Sequence, residues 1–157
     1  MSMTLEVIVV PVTDVERSKD FYAGKLGFNV DTDAQLTDDF RVVQLTPPGS
    51  GCSIILMTQG AQMEPGTLKG PQLVVQDVRS AREKLAERGV EVSDVQVIDG
   101  GPPRAAGPDD QLDYRGFLFF EDPDGNGWAI QQLSQPLADR TAALAAADGP
   151  RGAPDPA

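Results

Sequence analysis

Val12-Thr13-Asp14-Val15 returns further along the chain as Val75-Gln76-Asp77-Val78. Each copy ends an apolar run, Leu5 to Val12 in the first case and Gln72 to Val75 in the second, and both runs read as buried strands. Asp14 and Asp77 are carboxylate N-caps, so a helix is expected after each. The first runs from Val15 to Lys25, with Val15, Phe21, Tyr22 and Leu26 as its core-facing stripe; the second runs from Val78 to Arg88, with Val78, Ala81 and Leu85. Gly27 and Gly89 follow where a left-handed C′ residue belongs.

Working outward, three strands are expected after each helix. They are Phe28 to Asp31, Phe40 to Leu45 and Ser53 to Thr58, then Val90 to Val97, Gly116 to Glu121 and Trp128 to Leu133. The repeat predicts an α+β fold of two tandem βαβββ modules. One face of each small sheet is covered by its helix and the other is open, so the modules together make a curved mixed sheet, a cup with helices on the outer face. The first module spans residues 1–58, a linker 59–69, the second module 70–134 and an Ala/Pro-rich tail 135–157. Within the tail a short helix is expected over 137–147, because Ala, Leu and Arg favour one. Asp99 to Asp113 reads as a long loop, a candidate lid.

The segment from Val12 through Ser18-Lys19-Asp20-Phe21-Tyr22 to Leu26-Gly27-Phe28 resembles the first strand–helix signature of the vicinal-oxygen-chelate superfamily, the glyoxalase, bleomycin-resistance and dioxygenase proteins. Phe120-Glu121-Asp122-Pro123-Asp124-Gly125-Asn126, followed by Trp128, resembles that family's final hairpin. The resemblance covers Leu5 to Leu133. It implies a metal site built from His, Glu or Gln on the first and last strand of each module. Here those positions fall on Val7, Ile55, Gly70 and Ala129, none of which offers a side-chain ligand. A register change of one inward-facing position would supply only the neutral amide of Gln131. The expectation is therefore a family member without a metal or other cofactor.

Composition narrows the chemistry. The chain has no histidine, which removes imidazole bases, Ser-His-Asp systems and histidine metal sites. A single cysteine, Cys52, allows no internal disulfide and no cysteine zinc site, and fits a reducing, cytoplasmic setting. The net charge of -11 repels phosphate backbones and anionic lipid, so neither nucleic acid nor membrane is an expected partner. No apolar run approaches the roughly 20 residues of a membrane span, and the start, Met1 to Glu6, does not read as a signal peptide. Asp122 to Gly127 opens like a calcium loop, but the twelfth position is Leu133 and strands flank it, so a turn is expected instead. Glu121 and Asp122 are strand neighbours that face opposite ways, which argues against a paired-carboxylate site. Arg104 is expected to be a solvated side chain.

Strand parity gives the cup lining. Val7, Val9, Ile55, Met57, Gln72, Val74, Ala129 and Gln131 should face inward, joined by Gln44 and by Phe119 and Tyr114 on the seventh strand, while Trp128 packs outward against a helix. Of these, Val9, Gln44, Ile55, Met57, Gln72, Tyr114, Phe119 and Gln131 are the candidate ligand-binding residues. An apolar pocket with a few amides suits a small hydrophobic or aromatic molecule. The expected function is metal-independent binding of such a metabolite by a homodimer. The alternative is a metal-independent isomerase or lyase with a carboxylate or Tyr114 as acid–base.

Overall fold

The computed structural model describes Met1 and residues 3–135. The helix expected over 137–147 lies outside the described residues. Among the described residues there are nine strands, one α-helix per module and one π-helical segment, and all but one short strand follow the expected order. The first module holds β1 (Val7–Pro11), α1 (Val15–Lys19), β2 (Asn29–Thr37), β3 (Phe40–Thr46) and β4 (Ser53–Met57). The second holds β5 (Lys69–Val75), α2 (Val78–Glu87), β6 (Gln96–Val97), β7 (Arg104–Ala105), β8 (Gly116–Glu121) and β9 (Gly127–Gln132). Each module makes its own mixed sheet, in the orders β1-β4-β3-β2 and β5-β9-β8-β6-β7. The first strand of each pairs parallel with the last, β1 with β4 and β5 with β9, so the sequence repeat is also a topological one.

Both aspartate caps form. Asp14 accepts from the Arg17 amide, and Asp77 from the amides of Arg79 and Ser80. Gly27 and Gly89 take positive φ values of 78° and 75°, as helix-ending residues do. The first helix differs from expectation after Lys19. Asp20–Lys25 is π-helical, with the Leu26 amide bonded to the Phe21 carbonyl at 3.1 Å. The wider turn seats two consecutive aromatics, Phe21 and Tyr22, in the core.

Three strand boundaries also differ. β2 runs to Thr37 where a strand ending at Asp31 was expected; it is exposed along most of its length, so its side chains carry no apolar alternation. The strand expected over Val90 to Val97 shrinks to Gln96–Val97 plus a single bridge from Val92 to Phe120. The long loop after Asp99 contributes β7, which pairs with β6. Arg104 is solvent-exposed there, as expected, and also forms a two-pronged pair with Asp110, at 2.8 Å on each arm.

One core runs through both modules. From sheet one it takes Val10, Val43, Leu45, Ile54 and Leu56, and from sheet two Leu118, Phe120, Trp128 and Ile130. Phe21 lies 6.2 Å from Phe120 and Tyr22 lies 5.8 Å from Trp128, so the first helical segment packs on the second sheet. Trp128 is thus on the helix-covered face, as its parity predicts. At the seam, Asn126 is fully buried and donates to the Pro11 carbonyl at 2.8 Å. Its Oδ1 accepts from the amides of Gly66 and Leu68, which pins the linker to the β8–β9 turn.

Candidate functional site

The second sheet presents the more complete candidate surface. Cross-strand register aligns Gln72 with Ala129 and Ala129 with Phe119; the next row aligns Val74 with Gln131 and Gln131 with Phe117. All six side chains therefore stand on the face away from the helices, because their neighbours Leu118, Phe120, Trp128 and Ile130 fill the core. Phe117 and Phe119 lie parallel, centroids 6.3 Å apart and planes 7° apart, and form an aromatic shelf. Phe119 is 36% exposed and Val74 43% exposed, so large apolar side chains stand in solvent on both strands that flank β9 on this face. A hollow of about 660 Å³ opens beside this shelf, over Ala129, Gly127 and Gly70 and up to Lys69, Glu91 and Glu121. A Cβ added at Gly70 would meet nothing within 4 Å, so the glycine widens the mouth.

Polar groups enter the face in a chain. Gln131 donates through Nε2 to the Tyr114 carbonyl at 2.8 Å, and Gln72 donates through Nε2 to Gln131 Oε1 at 2.7 Å. Tyr114 itself is not on β8; it sits in the turn before that strand, which begins at Gly116, and its φ of 63° is the only positive value of a non-glycine among the described residues. That turn explains the departure from the expected strand position, and it aims the Tyr114 carbonyl, rather than the ring, at Gln131. Glu121 lies on the open face and pairs with Lys69 at 3.0 Å, while Asp122 turns into the core. The two carboxylates thus point apart, as parity requires.

The other four candidates lie on the first sheet. Val9, Ile55 and Gln44 form one row and Met57 is opposite Pro11, all partly buried on the face away from Val10, Val43 and Leu56. None of the four lines the hollow beside Phe119, whose walls come entirely from the second module. Of the eight candidates, then, Gln72, Gln131 and Tyr114 are joined by hydrogen bonds, Phe119 neighbours them across Ala129, and the first-sheet set is a separate patch. The hollow also uses residues the sequence reading passed over, Lys69 and Glu91. Lys69 opposes Gly127 in the register, so extending the expected strand by three residues reaches it.

The four positions that the family resemblance marks for metal ligands hold Val7, Ile55, Gly70 and Ala129, which have no side-chain donor atoms. Among the described residues, no three His, Cys, Asp or Glu side chains gather into a group that could hold an ion. The donor set does not fit a metal. Cys52 is partly buried; burial, with Glu6 nearby, pushes its thiol up from the ordinary value, away from the reactive thiolate.

Comparison with known proteins agrees with the fold. The Glyoxalase/Bleomycin resistance protein/Dioxygenase superfamily model matches residues 4–130. The chain belongs to this superfamily. Within the superfamily, the crystal structure of TnmS3, an antibiotic binding protein from Streptomyces sp. CB03234, is similar at a TM-score of 0.67 and 34% identity, over 85% of this chain and 99% of that one. A superfamily member from Sphaerobacter thermophilus DSM 20745 is similar at a TM-score of 0.66 and 27% identity, over 83% and 98% of the two chains. The uncharacterized protein YetH of Bacillus subtilis (strain 168) is 20% identical over 133 residues, which is 84% of this chain and all of YetH. At family level these similarities support small-molecule binding. No helix among the described residues is long and apolar enough to cross a membrane.

Proposed function

We propose that this superfamily member is a metal-independent binding protein that holds a small aromatic molecule on the open face of its second sheet. The observation that carries the reading is the parallel Phe117–Phe119 pair, of which Phe119 is exposed and borders a hollow floored by Ala129, with the amides of Gln72 and Gln131 on the same sheet face. A flat apolar shelf beside small residues is shaped for a planar ring. The antibiotic binding relative, 34% identical, supports the same class of function. The lack of donor atoms at positions 7, 55, 70 and 129 supports independence from a metal.

The hollow is open on one side, Phe119 is exposed at its edge, and Val74 is exposed elsewhere on the same sheet face. We infer that a second copy of the chain closes it, bringing the first-sheet patch of Val9, Gln44, Ile55 and Met57 over the aromatic shelf. A homodimer in the cytoplasm is the working form in this reading. The test is native mass spectrometry on protein taken directly from its host. The expected species is a dimer carrying a bound aromatic molecule and no stoichiometric metal; a monomer, or a dimer with one metal ion per chain and no organic ligand, contradicts the proposal.

A further inference from the structure

The polar chain on the sheet face has a fixed sense. The Tyr114 carbonyl can only accept, so the Gln131 amide group must turn its Nε2 toward it. Gln131 Oε1 is thereby directed at Gln72, which must answer with its own Nε2. The carboxamide oxygen of Gln72 is left at the end of the chain. Among the described residues it has no protein partner, and Gln72 is exposed on the open face. A main-chain carbonyl two side chains away thus decides that the polar end of this surface is an acceptor.

Distance places that acceptor relative to the shelf. Gln72, Ala129 and Phe119 are consecutive partners across three strands. With strands about 4.8 Å apart, Gln72 and Phe119 stand roughly 10 Å from each other, with only a methyl group between them. A plate of two or more fused rings laid over Ala129 touches Phe119 at one edge and reaches Gln72 at the other. Charge adds to the selection. Glu91 and Glu121 stand at the far end of the hollow with Lys69 alone against them, and Lys69 is already paired with Glu121. That balance disfavours an anion.

We propose that the Tyr114–Gln131–Gln72 chain makes the site selective for aromatic molecules bearing a neutral or cationic hydrogen-bond donor, a ring hydroxyl or amine, that is given to Gln72 Oε1. Gln72 is the contact and Gln131 is the positioning residue that holds it. The proposal rests on the aromatic-binding reading above and adds to it the chemistry of the ligand's polar edge.

The experiment uses three matched pairs of fluorescent probes, 2-naphthol with 2-methoxynaphthalene, 7-hydroxycoumarin with 7-methoxycoumarin, and 1-pyrenol with 1-methoxypyrene. Each is titrated against the full chain at a slightly acidic pH that keeps the phenols neutral. The methyl ethers keep the rings and lose the donor. The expected result is about five- to tenfold tighter binding of the hydroxyl member, the worth of one hydrogen bond. Read as the ratio of affinities within each pair, that preference falls to about one in Gln72→Leu and shrinks in Gln131→Leu. A merely structural role for Gln131 would move both members of a pair together. Equal binding of both members to the wild-type chain, with Phe119→Ala weakening both, overturns the donor selectivity and leaves aromatic binding standing. Failure of every probe to bind overturns both.

Discussion

The Tyr22 hydroxyl, in the first module, donates to Asp122 Oδ2, in the second, across 2.8 Å, and both side chains are buried. Trp128 Nε1 donates to the same hydroxyl at 3.0 Å, and Asn126 Nδ2 donates to the same carboxylate oxygen at 2.8 Å. Burial first, and the Asp122 charge second, push the Tyr22 hydroxyl well above its ordinary pKa, so it stays a donor throughout the accessible range. The four side chains close on one another and join the modules through polar contacts as well as through the core.

Tyr22→Phe is expected to lower the unfolding free energy by about 1–3 kcal/mol, because it strands the Trp128 N–H and removes one donor from a buried carboxylate. Urea denaturation measures this. A change below a few tenths of a kcal/mol would show that water replaces the hydroxyl and that the contact does not tie the modules.

Gly66 and Gly24 should respond in opposite ways to alanine. At Gly66, φ is 81° and an added Cβ would lie 2.3 Å from the Asp124 carbonyl oxygen, whereas at Gly24 it would meet nothing within 4 Å. Gly66→Ala is expected to cost more than about 2 kcal/mol, and Gly24→Ala to be neutral or to stabilise by up to about 1 kcal/mol. Thermal melts of the two variants check the pair; equal melting temperatures would contradict the tight approach of linker and turn.

Acid should weaken the fold through Asp33. Its hydrogen bonds from Arg41 and then Lys19 hold its carboxyl well below the ordinary value of 3.8. A depressed folded-state value means that the stabilisation is fully present above 3.8 and is lost as the pH falls below it. The effect is modest, since the cluster is solvent-accessible. The urea midpoint should fall between pH 5 and about 2.5 in the wild type, and by less in Asp33→Asn. Identical acid profiles would show that this cluster contributes nothing.

Gln131→Ala should weaken binding of a donor-bearing aromatic by about 0.5–1.5 kcal/mol, since it removes the group that orients Gln72. The fold should survive, because Gln131 is only partly buried and lies on the open face. Calorimetry with 1-pyrenol reads the change, and circular dichroism confirms that the variant is folded. Unaltered affinity would place the ligand elsewhere.

The repeat of Val12 to Val15 in Val75 to Val78 made the two modules legible, because a capped helix after a buried strand leaves a strong local signal. Parity then separated Phe119 and Gln131 from Phe120 and Trp128 on opposite faces. Other features had no such signal. β2 is long but mostly exposed, so its polar run Asp31-Thr32-Asp33 hides a strand that is specified by pairing with β3. The π-helical turn after Lys19 comes from packing Phe21 and Tyr22, which local propensity does not register. Tyr114 was read as part of a strand because its left-handed backbone breaks the usual association of that conformation with Gly or Asn. Parity assigned Val9, Gln44, Ile55 and Met57 to a face of their own sheet, but it carries no information about which sheets border one cavity. Asp122 and Asn126 read as turn residues; that the same turn supplies the polar seam with Tyr22 depends on tertiary contact.

The location of the ligand is the most direct test. Amide NMR of the isotope-labelled chain during titration with 1-pyrenol should move the signals of Phe117, Phe119, Ala129 and Gln131, with Gln72 following through its side-chain amide. Shifts confined to the groove of Leu26, Leu73, Ala81 and Leu85 between the helices and β5, with Phe119 and Gln131 unmoved, would contradict binding on the open face of the second sheet.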